Sequence, residues 1–442
     1  MTNILVFGAG KSSSYLIRYL LEHAPKLLWQ VTVADANINA AVEKVGRSDF
    51  GTAVQIDISD EKHRKRLIAN ANMVVSLLPP ALHIIVAKDC LELKRHLVTA
   101  SYVSDEIQAL HRDARDAGLL FMNEIGLDPG IDHMSAMKII HEVERLGGEI
   151  YSFKSYCGGL VAPESDDNPW HYKISWNPRN IVMAGKSGAE FQLSGFQKHL
   201  EYTHLFAEYE KIKTPGLGTL ASYANRDSLS YMELYGLHSV KTMLRATLRY
   251  ESFCIGWHAV VQLGLTDEEK DYLMGNMRYL DWFMQASAHL EGNTPQERVK
   301  QIGKKSREAV ELIEWLEVFS EAKIDLKGRK KSAEILQHIL ERKWAMADTD
   351  KDMIVMHHEF EYGRKNLNAK LHSSLIVTGT DKTYTAMAKT VGLPMALFTK
   401  HFLAGKFRNL VGVQIPVSKD VYKPILKELS EYGIDFVETF PA

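Results

Sequence analysis

Short apolar runs alternate with segments of helical periodicity along the first 125 residues of the chain. The runs lack regular polar alternation, which is typical of strands buried on both faces of a parallel sheet. The predicted strands span residues 3–7, 30–34, 53–57, 73–78, 96–100 and 119–123. Helix-period segments such as SSSYLIRYLLEHA separate them. This order predicts right-handed crossovers and an α/β fold with a Rossmann-type, doubly wound parallel sheet.

The pattern changes after about residue 149, where longer strand-like runs are separated by turns rich in proline and asparagine. Residues 266–345 then have mostly helical periodicity, and the stretch Thr294 to Glu297 predicts a capping box with proline at the first helical position. Residues 352–362 and 370–379 resemble two further strands. At 442 residues, the chain is expected to form two or three domains.

Composition and charge exclude several classes of function. A formal charge of -2 leaves no excess of basic residues for nucleic acid or anionic lipid. No apolar stretch reaches the length of about 18 residues that a membrane span needs. The three cysteines, Cys90, Cys157 and Cys254, form neither a C-x-x-C pair nor a disulfide framework. Since the N-terminus leads straight into a strand without a signal-peptide pattern, a cytoplasmic protein is expected.

The segment FGAGKSSSYLI, residues 7–17, follows a strand and opens a helix, as a dinucleotide-binding loop requires. Gly8 allows the tight turn, and Gly10 lets backbone N–H groups approach a pyrophosphate at the helix N-terminus. Ser13 replaces the third glycine of the fingerprint, and a small residue there still permits close packing. A tight turn without nucleotide is the alternative. The predicted cofactor contacts are Gly8, Gly10, Lys11, Ser12, Ser13, Asp35, Asp57, Ile58, Leu78 and Pro79.

Asp35 ends the second predicted strand, where an acid can accept hydrogen bonds from the adenosine ribose and repel a 2′-phosphate. This position predicts NAD as the cofactor in preference to NADP. The alternative is that Asp35 only starts the following turn. Asp57, at the end of the third strand, is expected to border the adenine.

The segment NEIGLDPGIDHM, residues 123–134, concentrates polar residues just past a predicted strand. Asp128, Asp132 and His133 suggest a metal site, a capped turn or the floor of a catalytic pocket. The metal interpretation is disfavoured, because no His-x-x-x-His or paired-cysteine spacing accompanies the segment. Asp132 and His133 are predicted in the first turn of a helix, where an acid interacts favourably with the helix dipole. Asp128 in the turn before it is then free to face the carboxyl end of the sheet.

Several separate motifs occur in one order along most of the chain. They are ASYVS (100–104), NEIGLDPGIDHM (123–134), SYCGGLVAPE (155–164), NPWHYKISWNP (168–178), ANRDS (224–228) and LRATLRY (244–250). Together they resemble the L-glutamate-forming saccharopine dehydrogenases, and most of all the dehydrogenase half of the bifunctional lysine-degrading enzyme. The chain departs from the family pattern at Val161, Ala224 and Ala246.

The resemblance implies oxidation of saccharopine with a nicotinamide cofactor, giving L-glutamate and 2-aminoadipate 6-semialdehyde, by a homodimer. It also implies three parts: a dinucleotide-binding domain, an α+β substrate and dimerisation domain, and an all-helical insert. The expected bounds are 1–125 with about 386–442 for the first, 126–255 with 346–385 for the second and 256–345 for the insert.

The same resemblance assigns proton transfer to Asp128, Cys157 and Tyr102. Ser101, Trp176 and Thr247 match family positions that line the substrate. Arg226 is the first candidate to bind the substrate carboxylates, followed by Arg245 and Arg249. Each has a plainer alternative: a buried thiol is usually inert, an arginine usually forms an ion pair, and a tryptophan usually packs in a core.

Two further pairs of residues are interpreted from their spacing. Arg245 and Arg249, four residues apart, are expected to share one face of a helix. His357 and His358 are adjacent in a strand, so they point to opposite faces and cannot chelate one metal together.

Two other functions compete with saccharopine oxidation. A related carbon–nitrogen oxidoreductase, such as one acting on carboxynorspermidine, would share the cofactor loop and need fewer groups for carboxylates. A non-catalytic dinucleotide sensor would keep the fold without the chemistry, but it would not need Asp128, Cys157 and Tyr102.

Overall fold

A computed structural model describes residues 1–214, 216–303, 305–364 and 367–441 of the chain. The strands in chain order are β1 (Thr2–Phe7), β2 (Trp29–Asp35), β3 (Gly51–Gln55), β4 (Met73–Ser76), β5 (His96–Thr99), β6 (Leu120–Met122), β7 (Glu149–Val161), β8 (Ala189–Leu193), β9 (Phe196–Leu200), β10 (Glu210–Thr214), β11 (Gly218–Ala224), β12 (Arg226–Asp227), β13 (Thr242–Arg249), β14 (Asp271–Leu273), β15 (Arg329–Lys331), β16 (Asp352–Arg364), β17 (Leu367–Thr378), β18 (Gly412–Gln414) and β19 (Val437–Thr439).

The α-helices in chain order are α1 (Ser14–Leu27), α2 (Ile38–Val45), α3 (Glu61–Ala69), α4 (His83–Glu92), α5 (Asp105–Gln108), α6 (His111–Asp116), α7 (Ile131–Arg145), α8 (Pro178–Val182), α9 (Tyr202–Leu205), α10 (Ser230–Leu234), α11 (Glu251–Gln262), α12 (Tyr279–Ala286), α13 (Pro295–Lys300), α14 (Ser306–Trp315), α15 (Ser332–Lys343), α16 (Ala386–Leu403) and α17 (Lys419–Glu431). Short 3-10 helices span Lys11–Ser13, Pro80–Leu82 and Pro163–Ser165.

The chain divides into two compact units, and the division differs from the bounds expected from the sequence. The first unit comprises residues 1–149, 364–366 and 375–438, and the second comprises 150–363, 367–374 and 439–442. The segment expected as a separate helical insert belongs to the second unit in this division. None of the helices among the described residues combines the length and apolarity that a membrane crossing requires.

The first unit contains a seven-stranded sheet in the order β18-β6-β5-β4-β1-β2-β3, in which neighbouring strands run parallel. This is the predicted doubly wound sheet, since the order reverses between β1 and β4. A strand from the C-terminal part of the chain, β18, extends it beyond β6, an addition that the apolar pattern of the first 125 residues could not indicate.

Helix α1 of the first unit packs closely on α16. A Cβ on Gly392 of α16 would lie 2.8 Å from the backbone nitrogen of Leu16 in α1, so no larger residue fits without a shift. Leu16 and Ile17 are fully buried at this helix. The close approach fixes the helix that begins at the glycine loop, and it is made by residues almost 400 positions apart in the chain.

The second unit contains a mixed sheet in which β10, β11, β13, β7, β16 and β17 are successive neighbours. Strand β13 runs parallel to β7 and antiparallel to β11, and β8 with β9 and β12 extends the sheet off this path. Arg245 and Arg249 both lie in β13, so the prediction that they share a helix was wrong. They do share a face, because residues at even spacing in a strand point to the same side.

Aromatic residues pack around helix α11 of the second unit. Phe253 and Trp257 of α11 stack with ring centroids 5.4 Å apart, and Trp170 meets Trp257 edge-on. A Cβ on Gly256 would lie 2.5 Å from the Trp170 ring, which explains a glycine inside this helix. The predicted capping box is confirmed, since the Thr294 side chain accepts from the Glu297 N–H at the start of α13.

Candidate active site

The glycine loop has the geometry that its sequence predicted. Gly8 has φ +104°, and a Cβ there would lie 2.9 Å from the carbonyl oxygen of Leu77, so the position excludes larger residues on both counts. Ser13 is buried and donates its hydroxyl to the Gly10 carbonyl at 2.7 Å. The serine therefore takes the place of the third glycine by packing inward and bonding to the loop.

Backbone donors at this loop suit an anionic phosphate. Among the described residues, no protein acceptor receives the N–H groups of Gly10, Lys11 or Ser12, and a Cβ on Gly10 would meet nothing within 4 Å. The 3-10 turn Lys11–Ser13 leads directly into α1, so these N–H groups lie at the positive end of the helix dipole. The loop thus fits the pyrophosphate of a dinucleotide.

Asp35 ends β2, as predicted, but its carboxylate accepts hydrogen bonds from the protein backbone. One oxygen accepts from the Ala9 N–H and the other from the Asn37 N–H, each at 2.7 Å. Both bonds hold protein backbone, one in the glycine loop and one in the turn after β2. The presence of an acid at this position is therefore explained without any contact to a ribose.

The remaining predicted cofactor residues lie just beyond strand ends on the same sheet. Asp57 is exposed, and the hydrogen bonds that it accepts from Ser59 lower its pKa. Ile58 and Leu78 are half-buried, and Pro79 is exposed. The carboxyl ends of parallel strands meet at one edge of a sheet, which is where open α/β sheets bind ligands.

Tyr102 and Asp128 are brought together at that edge. The Tyr102 hydroxyl donates to a carboxylate oxygen of Asp128 at 3.0 Å, although the residues are 26 positions apart. Both side chains are half-buried. A phenol and a carboxylate in hydrogen-bond contact can pass a proton between them, and partial exposure leaves the pair accessible to a ligand.

A buried pair that sequence reasoning missed holds this arrangement in place. His133 Nε2 lies 2.8 Å from one oxygen of Glu124, and the other oxygen accepts from the Val103 N–H at 3.0 Å. Glu124 thereby ties the segment that carries Asp128 to the residue next to Tyr102. The first turn of α7 contains Asp132 and His133 as predicted, and Asp132 accepts from the Gly130 N–H at 2.5 Å. These contacts make the segment a capped turn with a buried clamp.

His83 forms a second buried network beneath Ser101. Its Nδ1 lies 2.9 Å from the Ser76 hydroxyl and its Nε2 lies 2.7 Å from the Ser101 hydroxyl. Burial lowers the pKa of His83 to about 4, so the ring is neutral at physiological pH. A neutral imidazole donates at one nitrogen and accepts at the other, which orients the hydroxyl of the predicted substrate residue Ser101.

In the second unit, one face of the sheet carries the predicted residues Cys157, Arg245 and Thr247. Cys157 in β7 is the register partner of Thr247 in β13, and Ser155 is the partner of Arg245. Cys157 is buried. The glycine after it serves a purpose that was not predicted, because a Cβ on Gly158 would lie 2.5 Å from the carbonyl oxygen of Leu248. Gly158 therefore permits close packing of β7 against β13.

Arg249 lies on the same face as Arg245 and Thr247, and it was considered with Arg245 for the substrate carboxylates. Its guanidinium is buried, lies 5.3 Å from the ring centroids of both Tyr172 and Phe253, and donates to the Leu248 carbonyl at 2.8 Å. Within the described residues it forms no ion pair with a carboxylate, and its Nε has no hydrogen-bond partner. A buried cation without a protein anion is costly, which favours an anionic ligand as its partner.

Arg226 and Trp176 occupy different settings in this unit. Arg226 is exposed with φ +51°, a left-handed conformation that is rare for a residue with a side chain. The segment around it is tied to β13, because the Ser228 hydroxyl accepts from the Arg245 N–H at 2.9 Å. Trp176 is half-buried against the core and donates to the Tyr172 hydroxyl at 3.0 Å, so its expected packing role and a ligand role both stay open.

The parallel sheet and its glycine loop define a dinucleotide-binding α/β protein, and comparison with known proteins narrows the class. The family models for the saccharopine dehydrogenase NADP binding domain and the saccharopine dehydrogenase C-terminal domain match residues 4–122 and 126–434. The chain therefore belongs to the saccharopine dehydrogenase family. The predicted family and enzyme class, an oxidoreductase, are confirmed.

Individual relatives cover nearly the whole chain. The saccharopine dehydrogenase (NADP(+), L-glutamate-forming) of Pyricularia oryzae is 34% identical over 99% of this chain and 98% of its own length. The alpha-aminoadipic semialdehyde synthase of Arabidopsis thaliana is 35% identical over 92% of this chain, which spans only 40% of that longer protein. The apo structure of saccharopine dehydrogenase (L-Glu forming) from Saccharomyces cerevisiae superimposes with a TM-score of 0.87 at 31% identity, covering 100% of both chains.

These comparisons overturn the predicted cofactor. The matching nucleotide domain is an NADP binding domain, and the fungal relatives are named for NADP(+), so the prediction of NAD from Asp35 was wrong. The contacts of Asp35 supply the physical reason, because its carboxylate is committed to the backbone of the loop and turn. An acid with that structural role carries no information about the 2′-position of the ribose.

Proposed function

We propose that the protein oxidises saccharopine with NADP(+) and water, giving L-glutamate, 2-aminoadipate 6-semialdehyde, NADPH and a proton. The observation that carries this proposal is the Tyr102–Asp128 hydrogen bond at the carboxyl edge of a dinucleotide-binding sheet. The names of the full-length fungal relatives support the same substrate and cofactor.

The residues of the chain have to manage protons around the bond that is oxidised. When bound, the nicotinamide would supply the oxidation, by accepting a hydride from the carbon beside the secondary amine so that this carbon–nitrogen bond becomes an imine. Asp128 is suited to take the amine proton, because its carboxylate already accepts a hydrogen bond from Tyr102. Water then adds to the imine carbon, and the carbon–nitrogen bond breaks as the nitrogen gains a proton. We assign the later proton transfers to Tyr102 and Cys157, in keeping with the family resemblance.

The three carboxylates of saccharopine need cationic or hydrogen-bonding partners. We assign this recognition to Arg226, Arg245 and Arg249, and we assign further contacts with the substrate to Ser101, Thr247 and Trp176. Arg249 has the clearest physical basis, since it is buried without a carboxylate partner among the described residues. Guanidinium–carboxylate contacts are charge-assisted and can be bidentate, which gives both affinity and orientation.

Steady-state assays with saccharopine and NADP(+), followed by the absorbance of NADPH, test the proposal. Asp128→Asn should lower kcat by roughly 100- to 10,000-fold, the range for loss of a general acid or base. Tyr102→Phe should lower it less, because Asp128 keeps its charge. NADP(+) binding should be unchanged in both variants, since neither side chain belongs to the glycine loop.

Asp116→Asn provides the matched control, because this aspartate is exposed in α6 and pairs with the surface residues Arg112 and Arg115. Its kinetics should equal those of the wild type. Folded wild-type protein that binds NADP(+) but gives no turnover with saccharopine would instead support the non-catalytic sensor. Turnover that survives Asp128→Asn unchanged would remove Asp128 from the mechanism.

A further inference from the structure

A cluster of three side chains on the second unit plays no part in the proposed reaction. His357 and Glu359 lie two residues apart in β16, and His372 lies in the neighbouring strand β17. One potential ligand atom from each residue lies within 4.8 Å of the other two. His357 is buried, whereas Glu359 and His372 are half-buried. The adjacent His358 does not contribute, because it points to the opposite face of the strand.

The contacts of His357 direct one ring nitrogen into the cluster. Its Nδ1 lies 2.7 Å from the Ser374 hydroxyl, and its Nε2 lies 3.6 Å from a carboxylate oxygen of Glu359. The His372 ring meets the His357 ring edge-on, with centroids 5.1 Å apart. If Ser374 accepts from Nδ1–H, the neutral ring presents a lone pair towards a carboxylate. Two such groups repel each other unless a proton or a metal cation lies between them.

We propose that His357, Glu359 and His372 bind a divalent transition-metal ion with the preferences of Zn²⁺. Two imidazoles and one carboxylate form a donor set that zinc uses in proteins. Tetrahedral bonds of about 2.0–2.1 Å place ligand atoms about 3.4 Å apart, close to the His357–Glu359 separation. Partial exposure leaves Glu359 and His372 room to adjust and leaves a coordination position for water. The Ser374 contact provides the outer-shell hydrogen bond that orients a metal-binding histidine.

Charged neighbours bear on this proposal in opposite ways. Lys154 Nζ lies 3.9 Å from the second carboxylate oxygen of Glu359, and Lys370 pairs with Glu361 at 2.9 Å. Lys154 competes for one oxygen and leaves the other facing the two rings.

Titration of the metal-stripped full chain with Zn²⁺ by calorimetry tests the proposal. The wild type should bind one Zn²⁺ at this site, and His372→Ala should weaken that binding by at least about tenfold, the lower limit for loss of even an outer-shell partner. Co²⁺ in place of Zn²⁺ should give visible absorption bands of a four-coordinate site, and these should disappear in the variant.

His199→Ala is the matched control, because His199 in β9 lies 3.4 Å from Glu190 in β8, and both side chains of this pair are exposed. It should leave the Zn²⁺ affinity unchanged. Thermal unfolding gives a second measurement, since Zn²⁺ should raise the melting temperature of the wild type and not that of His372→Ala. Absence of Zn²⁺ binding by the wild type, or equal loss in both variants, would overturn the proposal.

Discussion

Because His83 is buried and neutral, the free energy of unfolding is expected to decrease at acid pH by an amount that can be worked out. Burial lowers its pKa in the folded protein to about 4, whereas an unfolded histidine titrates near 6.5. As the pH falls below about 6.5, the unfolded chain takes up a proton that the folded chain excludes. The free energy of unfolding of the wild type therefore decreases as the pH is lowered from about 6.5 to about 4.

The size of this effect follows from the two pKa values. At pH 5, protonation of this histidine in the unfolded chain shifts the unfolding equilibrium by a factor of about 30, which lowers the free energy of unfolding by about 2 kcal/mol. At pH 7.5 the effect is negligible. His83→Gln removes the titrating group and keeps a donor and an acceptor. We expect the variant to be less stable at pH 7.5, because the contacts with Ser76 and Ser101 are altered. Between pH 7.5 and 5, however, the free energy of unfolding of the variant should decrease by about 2 kcal/mol less than that of the wild type.

Urea unfolding monitored by circular dichroism at both pH values measures this difference. His238→Gln serves as the control, because His238 is exposed in the second unit, and its pH dependence should match that of the wild type. Stability curves for the wild type and His83→Gln that run parallel from pH 7.5 to 5 would refute the reasoning. Such a result would mean that His83 is protonated in the folded state or that water enters its network.

Three other substitutions and one control substitution test separate features of the structure. Gly8→Ala should destabilise the first unit by about 1–3 kcal/mol and abolish NADP(+) binding measured by fluorescence titration, because its φ of +104° disfavours any side chain. Asp89→Ala should lower the free energy of unfolding in urea by about 3–5 kcal/mol, because it leaves Arg64 as an uncompensated buried charge. Glu22→Ala, at an exposed ion pair, should cost less than about 1 kcal/mol in the same assay. Arg249→Met should raise the KM for saccharopine by roughly 10- to 150-fold, corresponding to about 1.5–3 kcal/mol for a charged hydrogen bond, and an unchanged KM would remove this arginine from substrate recognition.

Features that depend on neighbouring residues in the chain could be predicted from the sequence. The strands of the parallel sheet, the glycine loop and the capping box at Thr294 were found close to their predicted positions. Buried parallel strands are continuous apolar runs, and loops and caps need particular residues at fixed short spacings. The stretch LRATLRY could also have been predicted as a strand, because its apolar and polar residues alternate. Its four-residue spacing was interpreted as helical instead.

The tertiary structure alone decided which distant side chains meet. The hydrogen bond from Tyr102 to Asp128, the clamp between Glu124 and His133, and the pairing of Cys157 with Thr247 all depend on strand order and register. The same holds for the true role of Asp35, whose position was predicted but whose hydrogen-bond partners were not. Periodicity determines which face a residue occupies, but contacts between faces are set by long-range packing, which no local pattern encodes.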